Sequence, residues 1–458
     1  MAMTRGQESL MMAVDEKNVK KVLDICKLWD VNATPIGKAI KDKVTRIYYK
    51  GNKIFEIDLD FLTKGPEYVR PCKLPDLPIA QETPPSIQFR HFKSSGDALL
   101  SLLSDPNICC RDWVIRQYDH EVQGRTVIKP LQGKINKNGP GDATVLKPVE
   151  DSYRGLAISI SSSPFTTAID PYQGGMCVID EMCRNLAAVG AMPHSYTNCL
   201  NFGNPEKPER LGVFHEAGRG MGEASRFMGI PVPSGNVSLY NESHYGAVKP
   251  TISVLGAGIV EDLRECVTTD LKSEGNAIFL LGRTREEFGG SAYSRQTGRK
   301  GAVPAVDLPI LKKSVQAVVK AIRSGAVAAC HDLSEGGLCV AVAEMCIGGD
   351  VGAEIDIDAM NGVKLANSKG GWKYAAARES KLPTDAKLFA ESNTRWLLEV
   401  KKGREREFKS IMAGLSLYEI GRVCGNSLRV SENGKTIIDE SVEKLRDAWT
   451  KPLWNMMG

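Results

Sequence analysis

Along the chain, stretches in which apolar and polar residues alternate are interspersed with stretches in which apolar residues recur every three or four positions. The first pattern is typical of strands and the second of helices. Residues 155–163, GLAISISSS, alternate as a half-buried strand does, and the run ends at Pro164. Residues 174–190 place apolar side chains three or four positions apart, which predicts a helix that ends at Gly190. The same spacing recurs in residues 208–229 and 309–325. Together these blocks predict the α+β fold class.

One part of this pattern occurs twice in the chain, and we call this repetition the internal echo. A short polar segment followed by an apolar strand occurs near both ends of the chain, and a helix-like stretch and two further strands follow each copy. About a hundred residues of strands and helices precede the second copy, whereas nothing precedes the first. We therefore expect residues 1–70 to be a half-repeat that stands alone or is completed by another polypeptide, with chance similarity as the alternative. The paired strands are LMMAV (10–14) with RWLLEV (395–400), IGKAI (36–40) with IGRVC (420–424), and GNKIFEID (51–58) with GKTIIDE (434–440).

The domain organisation follows from this echo and from a proline-rich stretch at residues 70–86. Proline-rich sequence of this kind is typical of an extended linker. We expect the half-repeat to be followed by a linker, a barrel-forming nucleotide and substrate domain, and a C-terminal α+β domain. Their predicted ranges after the half-repeat are 71–108, 109–265 and 266–458.

Composition narrows the class of protein. The 458 residues are 42% hydrophobic and 25% charged, as in ordinary globular proteins, and the net charge is only +4. Because the basic residues are dispersed, nucleic acid is not predicted as a partner. No apolar run approaches the roughly 20 residues that a membrane span needs, so we expect no membrane association and a cytoplasmic location. The 12 cysteines form no C-x-x-C pair, which favours reduced thiols over disulfides or zinc.

Polar loops at strand ends are the places where chemistry is expected. Residues 197–209 crowd three asparagines beside a glycine and two prolines, which favours either a hydrogen-bonded turn or a ligand site. In residues 234–243, Gly235 would let the backbone approach a phosphate, and Asn236 offers an oxygen that Mg²⁺ accepts. Ser238 shares the strand face of Asn236. Asp142 follows two glycines and precedes a strand, which suits a cation ligand or an Asx turn.

Two further Gly/Ser loops, at residues 288–294 and 331–338, are predicted to be structural. Ser334 is expected to cap the helix that follows, and His331 to orient its loop. No P-loop is present, and the histidines form no pattern of nucleophile and base. These residues alone predict an α+β protein whose loops suit a magnesium nucleotide.

Several segments resemble, in order and spacing, the C-terminal half of the synthetase (large) subunit of phosphoribosylformylglycinamidine synthase. The resemblance covers essentially the whole chain. It implies domains of the aminoimidazole-ribonucleotide-synthetase type, with the N-terminal domains of the two halves pairing into a central barrel. It also implies that this chain, a split or truncated form, is the tail of a first C-terminal domain followed by the complete second half. The segments are GDATV, DPYQGG, RNLAAVGAMPHSYTNCLNFGNPEKPE, SGNVSLYNES, FGGSAY, HDLSEGGL and RQYDHEVQGRTVIKP.

The reaction implied by the resemblance is an ATP-dependent ligation in purine biosynthesis. ATP phosphorylates the formamide oxygen of formylglycinamide ribonucleotide, and ammonia from a separate glutaminase then displaces the phosphate to give the amidine. The implied cofactors are ATP and Mg²⁺. The implied partners are an N-terminal half of the synthetase, a glutaminase subunit and a small accessory subunit. No catalytic residue is assigned, because the Ser-His-Asn-His loop of the family does not occur in this chain.

The resemblance also implies roles for individual residues. Asn198 and Gly235 would bind ATP, Asn236 would bind Mg²⁺, and Ser238 would contact the substrate. Asp142 would serve the metal of a second, structural nucleotide site. The family's Glu-Ser-Gln substrate motif falls on three N-terminal residues, of which only the last matches. They are Arg5, Gly6 and Gln7.

Two rival functions remain open at this stage. One is a non-catalytic subunit of the same complex that binds nucleotide for structural reasons. The other is a stand-alone kinase-like enzyme related to aminoimidazole ribonucleotide or selenophosphate synthetases. The presence of one domain set plus a half-domain, without an evident general base, argues against the stand-alone enzyme.

Overall fold

The computed structural model describes residues 9–65, 67–79, 89–360, 365–368, 371–374 and 382–458. The chain divides into two compact units, residues 1–70 and residues 71–458. Within the described residues, no helix has both the length and the apolar character that crossing a bilayer requires.

The first unit contains a helix, a hairpin and a short second helix. The hairpin strands are antiparallel, and the side chain of Asp58 caps the second helix by accepting hydrogen bonds from backbone amides of its first turn. None of the described residues of this unit is buried. The elements are α1 (Val19–Leu28), β1 (Val44–Tyr49), β2 (Asn52–Asp58) and α2 (Leu59–Lys64).

The second unit begins with two helices and an antiparallel-rich domain. Six strands form one sheet in the order β3-β6-β7-β12-β8-β9, in which only β8 and β9 are parallel. Its elements are α3 (Ser95–Leu103), α4 (Asp112–Ile115), β3 (Thr126–Ile128), β4 (Leu131–Gln132), β5 (Gly139–Pro140), β6 (Thr144–Leu146), β7 (Gly155–Ser162), α5 (Pro164–Thr167), α6 (Pro171–Ala188), β8 (Met192–Asn201), α7 (Pro208–Met228), β9 (Ser234–Ser238), β10 (Glu242–Ser243), β11 (Gly246–Ala247) and β12 (Thr251–Val260).

A seven-stranded sheet follows, in the order β14-β18-β13-β19-β15-β20-β21. All its neighbours are antiparallel except β15 and β20. Its domain contains β13 (Ala277–Leu281), α8 (Ala292–Thr297), α9 (Leu308–Arg323), β14 (Val327–Asp332), α10 (Gly337–Gly349), β15 (Ala353–Asp356), β16 (Leu365–Ser368), β17 (Gly371–Tyr374), α11 (Thr384–Phe389), β18 (Trp396–Val400), α12 (Glu405–Ile411), β19 (Leu417–Val423), β20 (Ser427–Glu432), β21 (Lys435–Ser441) and α13 (Val442–Met457).

The two sheets are held together through a shared core. One face of the seven-stranded sheet, including Phe279 and Trp396, packs with α9 against the buried helix α6. The other face is covered by α3, α10 and α13. Because α6 is buried on nearly all sides, it brings its side chains to the boundary between the two domains.

The linker predicted for residues 71–108 contains α3, whose Leu99, Leu102 and Leu103 are fully buried. A core helix therefore lies within the predicted linker.

The internal echo is also only partly visible in the structure. Both copies contain a helix, a hairpin and a following helix, but residues 10–14 and 36–40 form no strand. In the second copy the matching strands β18 and β19 pair with β13, and the described part of the first unit has no such partner.

Helices α6 and α7 approach each other so closely that glycine is required at the contact. A Cβ on Gly220 would lie 2.0 Å from the carbonyl oxygen of Tyr172, and one on Gly175 would lie 2.2 Å from that of Ala217. Gly218, also on α7, has open space around its Cα.

We expect Gly220→Ala to lower the free energy of unfolding by about 2 kcal/mol, because the two helices must separate to admit the methyl group. Gly218→Ala is the matched control and should be neutral or stabilising by up to about 1 kcal/mol, since alanine favours helix. Urea unfolding of both variants measures the difference. Equal stability of the two variants would contradict the close contact.

Candidate functional site: an acidic cleft between the two domains

A cavity of about 190 Å³ lies at the boundary of the two domains. The six-stranded domain contributes Asp142, just before β6, and Glu181 and Asn185 on α6. The other domain contributes the end of β14 and the first turns of α10. We call this cavity the acidic lobe. Its lining residues are Asn107, Ile108, Pro140, Gly141, Asp142, Ile160, Glu181, Asn185, His331, Asp332, Ser334, Glu335, Ala341 and Glu344.

His331 bridges the two domains inside this lobe. Its Nδ1 lies 2.7 Å from Oδ1 of Asp142, and its Nε2 lies 3.1 Å from Oε2 of Glu344. Burial opposes the charged imidazolium, but the two carboxylates more than offset this and raise the pKa of His331 well above its usual value. The protonated imidazolium therefore donates to both carboxylates. His331 therefore links the two domains, in addition to the loop-orienting role that was predicted for it.

The carboxyl groups of the lobe are crowded and poorly solvated. Burial raises the pKa of Asp142 to about 6, although His331 acts in the opposite direction. Burial, with the negative charges of Glu335 and Asp332, raises the pKa of Glu181 well above its usual value. Burial also raises the pKa of Glu344. Even with the imidazolium of His331 and the guanidinium of Arg184, which pairs with Asp332, the lobe has more carboxylates than cations, so a bound cation would stabilise its ionised form.

Oxygen ligands in this lobe fit a magnesium ion. Carboxylate oxygens of Asp142 and Asp332 lie within 4.8 Å of each other, beside the protonated ring of His331. Oδ2 of Asp142 is buried and has no hydrogen-bond partner among the described residues, which leaves one carboxylate oxygen available. Carboxylates with an amide oxygen form the ligand set that Mg²⁺ prefers. Asp142, Asp332, Glu181 and Asn185 are the residues that would hold such an ion.

A second, smaller lobe of about 60 Å³ adjoins the acidic lobe, and the two share Glu181, Ser334 and Glu335. We call it the arginine lobe, because the guanidinium of Arg295 forms part of its wall. Arg295 stacks on Phe165, with Cζ 3.9 Å from the ring centre, and donates through Nη1 to the carbonyl of Gly290. Its Nη2 is buried and has no acceptor in the described part of the chain. The cleft therefore offers carboxylates for a cation beside a donor for a phosphate oxygen.

A buried ion-pair network fixes the shape of this cleft. Arg184 on α6 lies 3.3 Å from Asp180 and 3.2 Å from Asp332, and all three side chains are almost fully buried. Ser334 donates to Asp332 at 2.5 Å and accepts from Arg184 at 3.1 Å. The prediction that Ser334 caps α10 is wrong, because Gly336 holds that position and its helix end has no side-chain cap. The Ser334 hydroxyl is committed to Asp332 instead.

We expect Arg184→Met to lower the free energy of unfolding by about 3–5 kcal/mol, because it leaves Asp180 buried without a counter-charge and Asp332 with only His331, 4.0 Å away. The control is Arg219→Met on α7, whose exposed pair with Glu216 should contribute at most about 1 kcal/mol. Urea unfolding at neutral pH measures both changes. Similar losses in the two variants would show that the buried network does not secure the domain boundary.

Three of the residues predicted to bind ATP or metal form a separate group where β8 meets the edge strand β9: Asn198 on β8, and Gly235 and Asn236 on β9. Asn198 pairs with Gly235 in the register of β8 and β9, Cys199 with Asn236, and Asn201 with Ser238. A Cβ on Gly235 would lie 2.2 Å from Oδ1 of Asn198, so this glycine admits the asparagine side chain. The amide of Asn236 is exposed and donates weakly to Cys199, and the Ser238 hydroxyl donates to Asn241. We call this group the β9 edge.

Asp142 and Asn236 do not share one metal site. Asp142 precedes β6, and four strand steps separate β6 from β9 in the sheet, which corresponds to about 19 Å. The structure therefore brings Asn198, Gly235, Asn236 and Ser238 together and places Asp142 elsewhere, with His331 and Asp332. The predicted substrate residues Arg5, Gly6 and Gln7 lie outside the described residues.

Sequence reasoning missed most of the acidic cleft. Glu181, Asn185, Asp332 and Glu344 were not among the predicted site residues, and His331 was given a structural role. One signal was present: α6 is a strongly apolar helix that nevertheless carries Asp180, Glu181, Arg184 and Asn185. Charged side chains on a helix that must be buried require partners or a ligand.

Matches to known proteins agree with the two-domain division of residues 71–458. Residues 140–260 match the N-terminal domain of AIR synthase related proteins, and residues 273–431 match the C-terminal domain. The chain is 35% identical over 447 residues to phosphoribosylformylglycinamidine synthase subunit PurL of Thermoplasma acidophilum, covering 97% of this chain and 56% of that protein. The same subunit of Methanocaldococcus jannaschii is 34% identical over 463 residues, with coverage of 99% and 59%. The chain thus spans little more than half the length of these curated relatives.

Solved structures show the same fold. PurL of T. maritima complexed with FGAR aligns with a TM-score of 0.59 at 20% identity, over 76% of this chain and 52% of that one. PurL of T. maritima complexed with ATP aligns with a TM-score of 0.55 at 20% identity, over 74% and 52%. These likenesses, with the two domain matches, confirm the predicted α+β fold with N- and C-terminal domains of the aminoimidazole-ribonucleotide-synthetase type. The half-repeat lies outside both domain matches.

Proposed function

This chain belongs to the AIR synthase related proteins, and we propose that it forms the C-terminal half of a formylglycinamide ribonucleotide amidotransferase. The proposed reaction converts formylglycinamide ribonucleotide, ATP and glutamine-derived ammonia into the amidine, ADP and phosphate, in the cytoplasm. An N-terminal half, a glutaminase and a small accessory subunit complete the enzyme. Similarity to PurL subunits over nearly the whole chain supports this assignment.

The main structural support for the proposal is the cleft formed by the acidic lobe and the arginine lobe. Its carboxylates would hold Mg²⁺, and the unpartnered Nη2 of Arg295 would donate to a phosphate oxygen of the nucleotide. When bound, Mg²⁺ neutralises charge on the phosphate groups. The Asp142 side chain is only 4% exposed, whereas Ile160, which also lines the lobe, is 71% exposed. The shielded carboxylate suits a tightly held metal ion, as predicted for the second, structural nucleotide site.

The β9 edge is the proposed catalytic surface. Asn198 and Gly235 would contact ATP, Asn236 would bind Mg²⁺, and Ser238 would contact the substrate. All five residues of β9 except Ser238 are exposed, and among the described strands β9 pairs with β8 alone. An exposed site at a sheet edge cannot exclude water from a phosphorylated intermediate. We therefore propose that the N-terminal half covers this edge in the active enzyme.

Exposed apolar side chains on both units support the need for that partner. On the six-stranded sheet, Ile160, which also lines the acidic lobe, pairs with Leu255 across β7 and β12, and the two are 71% and 39% exposed. An apolar sheet face of this kind is typical of a protein interface. In residues 9–70, large apolar side chains such as Trp29 and Ile36 are exposed as well. The front part of a C-terminal-type domain on the partner would offer strands to residues 10–14 and 36–40.

A non-catalytic role in the same complex is the second candidate. The separation of the acidic cleft from the β9 edge favours it, because a nucleotide bound in the cleft could stabilise the domain boundary without turning over. In that case the chain would bind a magnesium nucleotide and assemble with its partners, while the chemistry would take place entirely on the N-terminal half.

Reconstitution tests the proposal. The chain is mixed with a candidate N-terminal half, and ATP hydrolysis that depends on formylglycinamide ribonucleotide is measured with ammonia as the nitrogen donor. We expect activity only in the mixture. Confirmed association without activity would support the scaffold role, and full activity of this chain alone would refute the requirement for a partner.

A further inference from the structure

A third cavity, of about 590 Å³, lies at the opposite end of the seven-stranded sheet from the acidic cleft. Strand β14 begins at its wall with Val327 and ends at the acidic lobe with Asp332. The two sites are therefore about 17 Å apart along the strand. The turn after β18, the end of α9 and the segment that precedes β13 form the other walls. We call this site the basic cavity.

The basic cavity is lined by five cationic side chains and a single acidic one, Glu265. Two of the cations are already paired within the protein, Arg264 with Asp262 and Lys272 with Asp270. The three others have no acidic partner among the described residues. They are Arg323, Lys401 and Lys402.

Arg323 gives the strongest indication of a missing ligand. Its Nη2 is shielded from solvent and finds no acceptor in the described part of the chain. A buried donor without an acceptor is costly, and a charged donor more so. A basic residue at the last position of a helix such as α9 also complements the helix dipole. That effect favours a cation at this position, but it supplies no acceptor for the buried Nη2 and does not explain the two lysines on the neighbouring turn.

The turn that carries the lysines is held in place before any ligand binds. The backbone amide of Lys402 donates to Oδ1 of Asn276 at 3.0 Å, and Nδ2 of Asn276 donates to the buried Glu399 at 2.6 Å. The backbone amide of Lys401 donates to Ala326. Fixing the backbone that carries the lysines lowers the entropic cost of binding an anion.

We propose that the basic cavity binds a phosphorylated small molecule through its phosphate, without a metal ion. Arg323 would donate to the phosphate oxygens, and Lys401 and Lys402 would neutralise their charge. The volume falls within the range of small-molecule sites, and Ile322 and Val327 provide an apolar wall for the rest of the ligand. This site is distinct from the acidic cleft, whose ligand requires a cation.

Isothermal titration calorimetry of the full chain with inorganic pyrophosphate, in the presence of EDTA, tests the proposal. We expect saturable binding that weakens at least tenfold in Arg323→Gln and in the double variant Lys401→Ser/Lys402→Ser. The matched control is Lys134→Ser/Lys435→Ser, which removes two exposed lysines outside the cavity and should leave the affinity unchanged. Thermal unfolding confirms that each variant is folded.

Absence of binding in EDTA, or an equal loss of affinity in the control, would overturn the proposal.

AMP and ribose 5-phosphate distinguish the source of the phosphate. Tighter binding of AMP would assign a nucleotide, and equal binding of the two would assign a sugar phosphate. Because Asp142→Asn should leave this metal-free binding intact, the result does not depend on whether the proposed synthetase activity is confirmed.

Discussion

Replacing Asn236 with alanine is expected to abolish the magnesium-dependent turnover of the reconstituted enzyme. The side-chain oxygen of Asn236 is the proposed Mg²⁺ ligand at the β9 edge, and within the described parts of the chain its exposed amide donates one weak hydrogen bond, to Cys199. Its removal should therefore leave the fold intact while the ion that neutralises the transferring phosphate is lost. Steady-state ATP hydrolysis with ammonia, measured at increasing Mg²⁺ concentrations, reports the loss.

Two further variants sharpen this test. Asn236→Asp retains an oxygen ligand and should recover part of the activity, most clearly at high Mg²⁺. Asn426→Ala removes an exposed asparagine of the other domain and should leave the rate unchanged. If Asn236→Ala has normal kinetics, the metal assignment at the β9 edge is wrong.

Asp142→Asn is expected to weaken cation-dependent nucleotide binding in the acidic cleft by about 100-fold or more. The substitution removes a charged ligand from the lobe and weakens the hydrogen bond to His331. Mn²⁺ can replace Mg²⁺ as a spectroscopic probe, and its affinity with ADP is measured by electron paramagnetic resonance. Asp447→Asn, which alters only an exposed pair with Lys451, is the control.

The two substitutions should separate the two sites. Asn236→Ala should leave Mn²⁺ binding in the acidic cleft unchanged, because the β9 edge lies at the far side of the same sheet. Unaltered Mn²⁺ affinity in Asp142→Asn would remove the acidic lobe as a metal site. Loss of both properties in either variant would indicate one shared site, contrary to the geometry.

Much of the fold follows from local sequence pattern. The alternation in residues 155–162 predicts β7, and the apolar spacing that ends at Gly190 predicts α6, because burial on one face or one side imposes these periods. Residues 10–14 and 36–40 have equally good strand patterns but form no strand. A strand needs a hydrogen-bonded neighbour, and that requirement cannot be read from the residues of the strand itself.

Fewer residues of the site could be predicted from the sequence, for a related reason. Asn198 and Gly235 could be grouped through their family motifs, and the structure places them side by side. Asp142, Glu181 and His331 are far apart in the sequence and meet only because α6 lies between the two sheets. Their combined charge, and the proton that His331 holds, depend on burial that arises at the domain boundary.

No side chain is buried among the described residues of the first unit. The stability of the chain therefore places little constraint on which residues occupy these positions. In most domains an apolar side chain stabilises the chain that carries it, so its replacement lowers the melting temperature. Trp29 and Ile36 lose little by replacement, because water already surrounds them. Polar substitutions at such positions would leave the stability of the purified chain unchanged and would be detected only by measuring its affinity for the proposed N-terminal half.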